Sequence, residues 1–138
     1  MSETHELLTD DTCYAKKHDI VKFIGVVGCV CVVVKQPNKN VFCSHFAGLD
    51  LCVLLGNCPK FFIDSQLEDV TDRLNYIKNS ITKESIVTIK ACSVENPGIK
   101  YTMNVKNLFF ASSCDFYPVK KADITYDVLN SKWSFIEK

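Results

Sequence analysis

Three features of the chain predict an α+β fold, a mixed and mainly antiparallel β-sheet arrangement with a flanking helix. Ile20 to Val34 is a run dense in β-branched residues, interrupted by Gly25 and Gly28. A polar turn, Gln36-Pro-Asn-Lys-Asn40, separates it from a second β-rich segment, Val41 to Phe46. Further on, Leu67, Val70, Leu74 and Ile77 recur at three- and four-residue steps, which is the period of one buried helical face.

Residues 1–18 are polar and predict a loose arm or a short helix. The run from Ile20 reads as strand material buried on both faces, with its glycines marking a bend, a bulge or a close backbone approach. Pro37 presets φ for a turn and the asparagines tolerate the left-handed region, so a hairpin follows. Ala47 to Lys60, with Gly48, Gly56 and Pro59, reads as an irregular connection that includes Cys52 and Cys58. Asp64 or Ser65 is the expected N-cap of a helix running to about Asn79. Ser85 to Ser93 reads as a strand, Asn96-Pro-Gly98 as a turn, and Lys100 to Ala111 as the return of a second hairpin. The tail from Asp123 to Ile136 alternates weakly and predicts an edge strand.

A chain of 138 residues with 47% apolar and 23% charged residues is expected to form one domain, spanning 1–138. Its formal net charge of zero creates no field that draws it to nucleic acid or an anionic membrane. Arg73 is the only arginine, and arginine is the preferred reader of phosphate and guanine, so nucleic acid is not an expected partner. The longest apolar stretch, Phe23 to Val34, is short of the roughly 20 residues needed to cross a bilayer. Membrane insertion is therefore not expected either. The N-terminus is polar and acidic, unlike a secretory signal. The eight cysteines fall mostly in apolar runs, the pattern of free thiols in a reducing, cytosolic compartment.

The chemistry is expected at Cys29 and His45. Strands joined by a short turn bring together residues equally distant from the turn centre, and these two average to Pro37. Opposed Cβ atoms would then lie about 4.5–5.5 Å apart, somewhat more on a diagonal. They share a face only if the loop has an odd number of residues. An imidazolium stabilises a neighbouring thiolate, and the imidazole can pass its proton to a leaving group. Gly28, lacking a Cβ, permits close approach, and the backbone N–H groups around Cys29, at Gly28 and Val30, could form an oxyanion hole. Thr12, Asp19, Ser44 or a backbone carbonyl could orient His45. The plainer alternative is a buried cysteine and a satisfied strand histidine.

Val27-Gly-Cys-Val30, the valine run, the polar turn and Ser44-His-Phe46 together resemble the core of the chemoreceptor glutamine deamidases of the CheD type. The same arrangement resembles the catalytic domains of cytotoxic necrotizing factor and Burkholderia lethal factor toxins. The similarity covers about residues 22–47 and beyond them only an order of elements. It implies a CheD- or necrotizing-factor-like deamidase fold, with Cys29 as nucleophile and His45 as base. It also implies deamidation of glutamine to glutamate on a partner protein through a thioester, without a cofactor, by a monomer. This chain departs from the family pattern in two places. Val27 and Gly28 stand where members often have a serine, and Phe23 stands where some have a threonine that orients the histidine. These departures and the lysine bias point to a toxin or effector acting on a host signalling protein, delivered without a classical signal peptide, rather than to a chemoreceptor regulator. Transglutamination and proteolysis share the thioester step, and a non-enzymatic binding module is the alternative of another class. Zinc is not expected, because Cys29-x-Cys31, Cys43-x-His45 and Cys52-x5-Cys58 lack the Cys-x2–4-Cys pairs of structural sites.

Overall fold

A computed structural model of the chain describes residues 2–56 and 63–138. Among the described residues, two mixed sheets and three helices form three layers. The first sheet has the order β1(Thr4–Leu7), β3(Ile20–Val26), β8(Ala122–Asp127), β9(Lys132–Glu137). The second has the order β2(Thr12–Ala15), β5(Val41–Phe46), β4(Val30–Lys35), β6(Ile86–Cys92), β7(Ser113–Tyr117). Only β1–β3 and β6–β7 run parallel; the remaining pairs are antiparallel.

The valine-rich run is buried on both faces, as its composition predicts, but it forms two strands. β3 lies in the first sheet and β4 in the second, and the chain crosses between them at Val27–Cys29. Both glycines have positive φ there: Gly25, +63°, at the bulge in the β3–β8 ladder, and Gly28, +61°, in the crossover. Only glycine adopts such angles without cost. β4 then sits at the centre of its sheet. Cys31 and Val33 face the core between the sheets with Phe23, Cys43 and Ile124. Val30, Val32 and Val34 face a second core with Phe46, Ile77 and Phe109 beneath the helices.

Helix α2 spans Asp64–Asn79, capped at Ile63 rather than at Asp64 or Ser65. The Gln66 side chain accepts the Ile63 N–H at 3.0 Å, and Asp64 falls in the first turn, where its charge suits the helix dipole. Val70 and Ile77 are buried and Leu74 partly buried on one side, as their spacing predicts, whereas Leu67, in the first turns of the helix, is 40% exposed.

Three expectations are corrected. The arm over residues 1–18 is neither loose nor helical. It supplies β1, parallel to β3, and β2, antiparallel to β5. Within the stretch read as an irregular connection, Gly48–Leu54 forms a short helix, α1, that buries Leu51. Cys58 and Pro59 lie outside the described residues.

The segment read as a strand from Lys100 to Ala111 is helix α3, Ile99–Phe109, so no second hairpin exists there. Tyr101, Met103 and Val105 alternate like a strand, yet Val105 and Phe109, four apart, are the buried pair. Gly98, at φ +88°, turns the chain into the helix, and its carbonyl accepts the Thr102 N–H. A parallel β6–β7 pairing needs such a crossover, because a tight turn can only join antiparallel strands.

The tail forms the β8–β9 hairpin. β9 is the expected edge strand, whereas β8 lies inside the sheet between β3 and β9. Among the described residues no helix is long and apolar enough to cross a membrane.

Candidate active site

The β4–β5 turn places the candidate pair. Lys35 pairs with Val41, so the loop is the five residues Gln36–Asn40, an odd number, and its centre is Asn38. That moves the register one residue from a centre at Pro37. Cys31, not Cys29, stands opposite His45. Cys29 lies two residues before Cys31, on the same sheet face and diagonal to His45. A diagonal of this kind separates Cα atoms by about 7–8 Å.

His45 is fully buried, and the supposedly loose arm positions it. Its backbone N–H donates to the Asp11 carbonyl at 3.0 Å, and its carbonyl accepts the Asp10 N–H at 2.8 Å. Its ring Nδ1 lies 3.1 Å from the Leu7 carbonyl. A carbonyl can only accept, so Nδ1 carries the proton in the neutral ring and Nε2 is left as a bare lone pair. That Nε2 is buried and has no hydrogen-bond partner among the described residues. Burial pulls the imidazole pKa below 6.5 despite the Leu7 carbonyl and the Asp11 charge, which favour the cation. Near neutral pH the ring is therefore an uncharged base. Phe23 meets it edge-on, with centroids 6.0 Å apart. The residue standing where some deamidases carry an orienting threonine thus packs against the same ring.

None of the three side chains considered as orienting groups reaches His45. Asp19 accepts hydrogen bonds from the Glu3 and Lys16 N–H groups and lies 2.9 Å from His5 Nε2. Ser44 is the strand neighbour of His45, so it points to the opposite face, and Thr12 pairs with Ser44. The polar group that holds the ring is Leu7, in a β-strand that nothing in the local sequence announces.

Cys29 sits where β4 begins, at one end of the five-stranded sheet, and is 7% exposed. Its thiol donates to the Val27 carbonyl at 3.2 Å. It lines a cavity of about 150 Å³ with Cys92, Ser93, Pro97, Tyr101 and Phe116; His45 is not part of that lining. The described cysteines are free thiols. Val30 is flanked by Phe46 and Ala91 within the ladder, so its N–H points towards a neighbouring strand and is a poor oxyanion donor. Gly28 and Cys29 precede the first ladder pair, which leaves their N–H groups as the candidates. Continuing the register sets Gly28 opposite Gly48, and a Cβ at Gly48 would overlap the Gly28 carbonyl oxygen. Helix α1 can start there only because position 48 is glycine.

A wider depression of about 610 Å³ lies at the far end of the sheet, between Gln36–Asn38 and Thr82–Glu84, and its lining holds neither cysteine nor histidine. Among the described residues, the donor atoms close enough together to share a metal belong to Glu3, His5 and Asp19, within 4.8 Å of one another. There the Asp19 carboxylate already accepts backbone N–H bonds, and the cluster reads as a clasp between the arm and β3. Cys92, Tyr101 and Pro97 at the Cys29 cavity have no assigned role in the sequence reading. They come from the end of β6, the connection after it and the first turn of α3, whose meeting with β4 is set by long-range pairing rather than by local spacing. In comparisons with known proteins, no family model matches the chain, and no curated protein shows significant similarity to it.

Proposed function

We propose that the chain is a cysteine-dependent protein glutamine deamidase with Cys29 as nucleophile and His45 as base. One observation carries the reading. A neutral, rigidly held imidazole keeps an unpartnered Nε2 on the same sheet face as a cysteine that opens to a surface cavity. A buried unpaired polar atom costs about 1–3 kcal/mol, so an Nε2 left free on the face it shares with Cys29 supports a working role over a purely structural one.

Rotation of the Cys29 side chain away from the Val27 carbonyl brings its thiol towards His45. Nε2 takes the thiol proton as sulfur attacks the carboxamide carbon of a protein glutamine. The N–H groups of Gly28 and Cys29 hold the oxyanion. The proton then passes from Nε2 to the departing ammonia, leaving a thioester. His45 next takes a proton from water, hydroxide attacks the thioester, and Cys29 leaves as the thiol with glutamate on the target. Leu7 accepts from Nδ1 throughout, so the ring needs no acidic partner. The target gains one negative charge, enough to alter a regulatory surface. The resemblance of residues 22–47 to toxin catalytic domains supports a target among host signalling proteins.

Incubation with a panel of purified small GTPases, ubiquitin-like proteins and chemoreceptor fragments tests this, with intact-mass detection of the one-dalton gain and of released ammonia. Gain on at least one target, abolished in both Cys29→Ala and His45→Ala, is expected. A gain that persists in either variant removes that residue from the mechanism.

A further inference from the structure

We propose that Cys29 and Cys92 are a cross-strand dithiol that closes to an intramolecular disulfide on exposure to a hydroperoxide, reversibly masking Cys29. In the β4–β6 ladder Val30 pairs with Ala91, and one further step of the same register sets Cys29 opposite Cys92. Residues opposed in an antiparallel pair have Cα atoms about 4.5–5.5 Å apart, within the span of a disulfide. Both thiols belong to one buried cluster and both line the 150 Å³ cavity, with exposures of 7% and 6%. A small oxidant therefore reaches them from one side.

The neighbouring thiols are worse partners. Cys31 lies on the same strand as Cys29, two residues on, where Cα atoms are about 6.5–7 Å apart with parallel side chains. It is fully buried, and burial pushes its thiol well above the ordinary range. Cys13 and Cys43 also stand opposite each other, but Cys43 is fully buried and neither lines the cavity that Cys29 and Cys92 share. Burial raises the Cys92 thiol as well, which suits it to the second, resolving step rather than the first.

The chemistry balances with one hydroperoxide. The Cys29 sulfur attacks the peroxide oxygen, the O–O bond breaks, and one water or alcohol leaves, giving a sulfenic acid. The Cys92 sulfur then attacks the Cys29 sulfur, the S–O bond breaks, and the hydroxide leaves with the Cys92 proton as water. Two thiols lose two electrons and the peroxide gains them. A dithiol reductant reverses the bond. Formation of the disulfide follows from the strand pairing alone; its consequence, loss of nucleophilic function, rests on the deamidase reading.

The test treats native protein with a few equivalents of hydrogen peroxide, blocks free thiols with N-ethylmaleimide, and maps non-reduced peptides by mass spectrometry. A linked peptide carrying Cys29 and Cys92, two daltons lighter than its halves and released by dithiothreitol, is expected. In Cys92→Ser, dimedone should trap a sulfenic acid on Cys29. Mapping on the unaltered protein decides the matter even if that variant does not fold. Linkage of Cys29 to Cys31, oxidation confined to Cys13 and Cys43, or cross-links only between chains would overturn the proposal. So would Cys29 over-oxidised beside a Cys92 still open to maleimide. Disulfide formation without any deamidation in the reduced protein would sink the deamidase reading alone. Deamidation unaffected by peroxide would sink the switch alone.

Discussion

Replacing Asp19 by asparagine tests how the arm is anchored, and with it the positioning of His45. The carboxylate is almost completely buried. Burial alone would raise its pKa. The hydrogen bond with His5 and those from the Lys16 and Glu3 N–H groups more than offset this and lower it from 3.8 to about 2. At about 1.4 kcal/mol per pH unit, that depression corresponds to roughly 2–3 kcal/mol of folding stability at neutral pH. Because the folded pKa is the lower one, this stability is complete above about pH 4. It is lost as the pH falls through about 2. Urea denaturation at pH 7 should show Asp19→Asn lower in midpoint by roughly 1–2 M, taking a slope of about 1.5–2 kcal/mol/M for a domain of this size. The gap should close between pH 4 and pH 2. The His45 amide, bonded to Asp11, should also exchange faster relative to amides in β4, since releasing β1 and β2 frees that bond. A difference under about 0.5 kcal/mol at pH 7, or a gap that does not shrink in acid, would refute the reasoning and make Asp19 an ordinary solvated acid.

Three other outcomes follow from the structure. Gly48→Ala should cost more than about 2 kcal/mol, since its methyl overlaps backbone. Gly28→Ala should cost only about 1 kcal/mol, for a left-handed φ in open space; equal losses in thermal melts would contradict the close approach of the start of α1 to the crossover. Asp10 is raised to about 6, first by burial and then by its hydrogen bond with Asp50, against the pull of Arg73. With the folded pKa the higher one, its contribution is present below about pH 4 and fades as the pH rises through 6. Asp10 is half exposed, so screening holds this below about 1 kcal/mol. Melting curves of Asp10→Asn should lack that slope between pH 4.5 and 7.5, and parallel curves would be the contrary result. Phe110 closes α3 in the left-handed region, φ 52°, with its ring largely exposed. Phe110→Gly should therefore raise the melting temperature by about 3 °C, and a lowered value would show that the Lys78 contact matters more.

The β4 valines, the turn at Pro37–Asn40 and the face of α2 were legible because local composition decides them: burial on both sides, turn chemistry, a 3.6-residue period. Strand against helix at Lys100–Ala111 was not, since Tyr101, Met103 and Val105 satisfy the strand period while Val105 and Phe109 satisfy the helical one. The parallel pairing of β6 with β7 decides between them, and that lies outside the window. The same holds for the arm, where four-residue strands of polar composition become ordered through β3 and β5. At the site, the face shared by Cys29 and His45 depended only on loop parity, which the turn suggested. The register depended on whether the loop centres on Pro37 or Asn38, which it did not. Leu7 as the group that orients His45, and Cys92 as the cross-strand neighbour of Cys29, both rest on pairings between distant segments.

The most direct measurement of the central claim is the rate of iodoacetamide alkylation at each cysteine of the native protein between pH 5 and 9, repeated in His45→Ala. Cys29 should react fastest, remain reactive below neutral pH, and lose that advantage in the variant. A Cys29 that stays inert until the protein unfolds, or that reacts alike with and without the imidazole, would make the pair a piece of the core and point to a binding module instead.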